Sequence, residues 1–149
     1  MKPIWKKGRG KLGFIEPLLG TWIAEAGTPM GEARCTRTFA KMGGQGKWIT
    51  LEADWDFGGK HYIEHAVYGI GDDSKPAFWS FTSDGRRSEG RLTDGTDVHD
   101  EAIAFEAQMP AGLARMIYWP GEDETVKWAV ESKTKKGWNR FTSHTYLRA

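Results

Sequence analysis

A chain of 149 residues has room for one hydrophobic core and is short for two, so a single domain spanning 1–149 is expected. With 21 Lys and Arg against 20 Asp and Glu, the formal net charge is +1; this supplies no global field for nucleic acid or an anionic membrane, and neither is expected as a partner. The lone cysteine, Cys35, excludes an intramolecular disulfide framework and a cysteine-rich metal site, and reads as a small buried thiol.

Residues 1–10 carry Lys2, Lys6, Lys7 and Arg9 with no apolar run behind them, which reads as a flexible basic arm rather than a secretory signal. No stretch approaches the ~20 consecutive apolar residues that cross a bilayer, and a cytoplasmic location is expected. Between 13 and 19, Phe14, Ile15, Leu18 and Leu19 suit one short helical turn that plugs the end of a larger structure, with Pro17 keeping it short.

From residue 20 onward strands dominate. Aromatic residues make up 13% of the chain and 19 Gly are scattered without period, the composition of short strands joined by tight turns. Glycine-, proline- and aspartate-rich turn signals separate about ten runs, near 21–26, 32–41, 46–57, 60–69, 77–83, 87–93, 98–109, 113–119, 124–132 and 138–148. The clearest is 47–57, where Ile49, Leu51, Ala53, Trp55 and Phe57 alternate with Trp48, Thr50, Glu52, Asp54 and Asp56, one dry face against one wet face. On the next run His61, Ile63, His65 and Val67 share one face, and Tyr62, Glu64, Ala66 and Tyr68 the other. Ile103, Phe105, Ala107 and Met109 line up in the same way, as do Val126, Trp128 and Val130. On the last run Arg140, Thr142, His144, Tyr146 and Arg148 share a face, unless a β-bulge breaks their parity.

A meander of this length with no crossover helix leaves two open edges, and closure removes them. The expected fold is therefore all-β: a single antiparallel up-and-down β-barrel of about ten strands, one end closed by the N-terminal helical turn.

Leu19-Gly20-Thr21-Trp22 resembles the Gly-x-Trp signature that opens the first strand of lipocalins and related calycins, and Tyr146-Leu147-Arg148 resembles their closing strand. Gly43-Gly44-Gln45-Gly46, the stretch from Tyr68 to Asp73 and Phe81-Thr82-Ser83-Asp84-Gly85 extend the likeness, over nearly the whole chain, to bacterial lipocalin-like proteins of unknown function. The resemblance implies that Arg148 packs on Trp22 to close the barrel floor, a favourable cation–π contact.

A barrel of this size holds side chains or one small ligand. Alternation assigns Ile49, Leu51, Trp55, Ile103, Phe105, Met109, Val126 and Trp128 to the interior, and if Arg148 points inward, Tyr146, His144 and Arg140 follow it. The expected function is non-enzymatic binding of a small hydrophobic or amphipathic molecule, with a carboxylate as one candidate head group. The expected ligand-binding residues are His61, His65, Phe105, Met116, Trp128, Arg140, His144 and Tyr146. The alternative is a small acid–base enzyme of the isomerase, cyclase or decarboxylase kind, with Glu64 as candidate base. No cofactor is expected; a haem held by His144 alone, as in nitrobindin-like barrels, is the one variant considered. No metal site is expected, because histidines four apart on a strand lie ~13 Å from one another at ~3.3 Å per residue. A homodimer is a further possibility, with exposed Trp48, Trp119 or Trp138 as anchors.

Overall fold

A computed structural model describes residues 5–149, so Lys2 and the start of the basic arm lie outside the described residues. A 3₁₀ turn, Gly13–Leu18, precedes β1 (Gly20–Thr28), β2 (Gly31–Lys41), β3 (Ile49–Asp56), β4 (His61–Ile70) and β5 (Pro76–Thr82). There follow β6 (Arg87–Thr93), β7 (Ile103–Met109), β8 (Gly112–Pro120), β9 (Val126–Thr134) and β10 (Gly137–Arg148). Every strand pairs antiparallel with its sequence neighbours, and β10 returns to β1, giving a closed barrel of ten strands. Closure joins the two edge strands through Trp22 with Arg148 and Ile23 with Leu147, where the sheet would otherwise end in free edges.

Period-two alternation sets the faces. On β2, Ala33, Cys35, Arg37 and Phe39 are buried and point inward, while their neighbours are exposed or half-buried. Phe39, Tyr68, Phe78, Phe105 and Tyr118 interlock in the lower interior through tilted and edge-on contacts between 5.1 and 6.1 Å. Burying each such ring contributes about 1.5–3 kcal/mol.

The 3₁₀ turn plugs that end. Phe14 packs on Phe105, and the Trp22 indole N–H donates to the Leu18 carbonyl at 2.8 Å. Arg148 lies over the Trp22 ring at 4.2 Å and donates to the Leu19 carbonyl. Gly20, at φ +117°, makes that approach possible: a Cβ there would stand 2.5 Å from Arg148 Nη1. Residues 5–12 run against the plug, with Leu12 buried and the Trp5 indole donating to the Glu101 carbonyl.

One expected strand is shorter than its pattern. The run at 98–109 becomes a strand only from Ile103, because Asp94 accepts from the Thr96 backbone and hydroxyl and turns the chain before it. Val98 and Ala102 then pack on the outer wall against Ala104, Ile117 and Ala129, a small second core outside the barrel. Arg115 on that wall is buried among Asp97, Glu131 and the Trp138 ring. No described helix is long and apolar enough to cross a membrane.

Candidate functional site

The end opposite the plug is open. There, a cavity of about 440 Å³ descends between β4, β5, β7, β8 and β9, with Phe78, Phe105, Met109, Met116 and Phe141 among its apolar walls. That volume falls within the range of small-molecule sites. Glu64 and Ser80 supply polar groups to its lining, and the Ser80 hydroxyl donates to Glu64 Oε2 at 2.5 Å.

Behind Glu64 lies a charge buried in the barrel. The Arg37 guanidinium is 1% exposed and reaches Glu64 Oε1 at 3.8 Å. Its Nη2 donates to the Tyr118 hydroxyl at 2.8 Å, and the group lies 5.2 Å from the centre of the Trp128 ring. Burial works against the charge, but Tyr118, Tyr146 and Glu64 more than offset it and hold the Arg37 pKa well above its ordinary value. Burial also pushes the Tyr118 hydroxyl up to about 12 and raises Tyr146 further, so both phenols are neutral donors at physiological pH. The Tyr146 hydroxyl donates to Cys35 Sγ, and burial raises the thiol's pKa as well, which makes Cys35 a packed, unreactive group.

Several sequence-predicted residues take other places. His61 and His65 face solvent: His61 Nδ1 meets Asp54 at 2.8 Å and His65 Nε2 meets Glu52 at 2.8 Å. The expectation that they line the interior is corrected, because the inward parity of β4 belongs to Tyr62, Glu64, Ala66 and Tyr68. Arg140 also turns outward. A register shift between Arg140 and Thr142 makes Phe141 an extra residue, which reverses the parity below the bulge. Arg140 instead donates to Glu131 and lies 4.9 Å from the Trp119 ring centre on the outer wall. Met109, assigned to the dry interior, stands at the cavity mouth and is 37% exposed.

Phe105 and Met116 line the open cavity, whereas Tyr146, Trp128 and His144 lie on the inward side away from it. His144 stacks on Trp128 with ring centres 5.1 Å apart and has Trp55 at 5.4 Å. Burial, and then the Arg37 charge, hold its pKa below the ordinary histidine value. No histidine lines the open cavity, so a haem seated there would find no axial ligand; His144 lines a separate opening between β1 and β10. No group of three or more His, Cys, Asp or Glu side chains among the described residues is placed to hold a metal ion.

Arg37 was not among the residues expected to matter. Its signal was present in β2, where Arg37 shares parity with Ala33, Cys35 and Phe39. Ser80 likewise shares the parity of Phe78 on β5. Compared with known proteins, the chain matches no family model and no curated protein.

Proposed function

We propose that the protein binds, without transforming it, a small apolar molecule that carries a hydrogen-bond donor, seated in the open end of the barrel. One observation carries this reading: aromatic and methionine walls enclose a cavity of about 440 Å³ that contains the Glu64 carboxylate and the Ser80 hydroxyl. Apolar walls with a few converging polar groups are the usual make-up of a ligand pocket. The head group is a hydroxyl or amine that donates to Glu64; of the cations on the lining, Arg115 is engaged by Asp97 and Glu131, and Lys133 lies against the Trp138 ring. The Trp22–Arg148 closure of a single meander supports kinship with lipocalin-like barrels.

Calorimetric titration with 2-naphthol tests it. Saturable binding is expected, weakened by Glu64→Gln and abolished by Met116→Trp, which fills the cavity; a crystal structure with the mouth closed by side chains would end the proposal.

A second reading draws on the inward aim of Glu64, which could accept a proton from a bound substrate. Deuterium exchange at the α-carbon of 2-tetralone, followed by NMR, checks this. Equal rates in the wild type and Glu64→Gln rule it out.

A further inference from the structure

The barrel is loosest where it closes. β1 and β10 pair only through Trp22 with Arg148 and Ile23 with Leu147, although β1 continues to Thr28 and β10 starts at Gly137. Above those pairs an opening of about 530 Å³ leads from Lys127 and Arg140 on the outer wall to the inward-facing Trp128 and His144. Gly27 on β1 and His144 on β10 both line this opening.

Two nitrogens on the inner wall of this opening, Trp128 Nε1 and His144 Nδ1, are buried without a hydrogen-bond partner. A third, Arg37 Nε, belongs to the guanidinium that lies beside the Trp128 ring. Trp128 is 3% exposed and Arg37 1%. An indole N–H and a guanidinium N–H can only donate, so the group that completes this wall is an acceptor.

Charge narrows the acceptor further. Arg140 is engaged by Glu131, and Glu25 on the β1 rim by Arg34 at 3.6 Å. Lys127 meets only the Thr145 hydroxyl and has no carboxylate partner among the described residues. The rim therefore holds one uncompensated cation, with the aromatic ring of Trp119 also on its lining.

We propose that this seam is a binding site for a small aryl carboxylate, whose oxygens accept from the Trp128 indole and the His144 imidazole beside Lys127. The site lies apart from the open-end cavity, with which it shares no lining residue. Binding would draw a proton onto His144, since a carboxylate seated beside the ring favours its charged form, in which Nδ1 donates to the ligand.

Titration of the protein with benzoate, followed by calorimetry and by the imidazole NMR signals, tests this. The expected result is saturable binding that moves the His144 titration point upward. Trp128→Phe keeps the ring and removes the N–H, and is expected to weaken benzoate about tenfold, the effect of one hydrogen bond to a charged acceptor. Lys127→Glu changes a lining side chain outside the core and is expected to weaken it as well; Met116→Trp is expected to leave it unchanged. The inference is overturned by no binding, by an unmoved His144, by benzamide binding as tightly as benzoate, or by variants at Trp128 and Lys127 that bind like the wild type. Loss of benzoate in Met116→Trp would place the ligand in the open cavity and overturn it too. The open-end reading stands or falls separately on 2-naphthol.

Discussion

Replacing Arg37 with Met keeps an unbranched apolar stem, shorter by two atoms, and removes the charge, the donors and the partner role for Glu64. The lost bond to the Tyr118 hydroxyl involves a charged donor and contributes about 1.5–3 kcal/mol, and the stack on Trp128 about 1–2 kcal/mol in a desolvated setting. Breaking a fully buried ion pair destabilises by about 3–5 kcal/mol, but the Glu64 side chain is 16% exposed and can recruit water through the open end. Removing the desolvated guanidinium returns part of this. The net expectation is about 2–4 kcal/mol of destabilisation, which for a chain of this size lowers Tm by roughly 5–15 °C. Urea unfolding followed by circular dichroism measures it. Adding Glu64→Gln to Arg37→Met removes the stranded carboxylate and is expected to recover about 1–2 kcal/mol. If the two substitutions add without coupling, the view that Arg37 and Glu64 form one buried unit is wrong.

Gly90 on β6 faces Phe78, and a Cβ there would stand 2.3 Å from the Glu106 carbonyl oxygen and 2.4 Å from the Phe78 ring. Gly90→Val is therefore expected to destabilise by about 3 kcal/mol or more through overpacking against backbone, read in the same unfolding assay. Arg148→Ala removes both the stack on Trp22 and the bond to Leu19, and about 1–2 kcal/mol should go with them; Arg148→Lys should recover little, since an ammonium does not reproduce the planar stack. His144 has a lowered pKa when folded, so the unfolded chain takes up its proton first as pH falls. Its contribution is fully present above the unfolded value of about 6.5 and declines below it, and His144→Phe should flatten the stability profile below about pH 6.5. His61, raised by its bond to Asp54, should titrate by NMR above that value while His144 titrates below it.

The strand pattern was legible because a pleated strand puts neighbouring residues on opposite faces, and this alternation is written directly in residues 47–57 and 126–130. Turn residues marked most strand boundaries, and the failure at 98–102 came from turns that continue past Gly95, where Val98 and His99 donate to the Gly95 carbonyl and Ala102 to that of His99. Parity within β4 was also readable, but parity does not say which face is inside. His61 and His65 share their face with Ile63 and Val67, whereas the opposite face carries Glu64 between tyrosines. A reading that places acids outside chooses wrongly here. The structure reverses the choice because Glu64 on β4 faces a buried guanidinium on β2, two strands away, with Ala53 of β3 in register between them.

Local chemistry thus determined the strands, their turns, the plug and the meander, all of which depend on residues a few positions apart. Only the closed barrel decided the rest. Arg37 meets Tyr118, Trp128 and Glu64 across the interior, a one-residue bulge at Phe141 sends Arg140 out while His144 and Tyr146 stay in, and the loosely paired seam brings Trp128 and His144 to the wall of an opening. These outcomes turn on which distant strands lie opposite one another and on where a register slips. Both are set by closing the ring, and no neighbouring pair of residues records them.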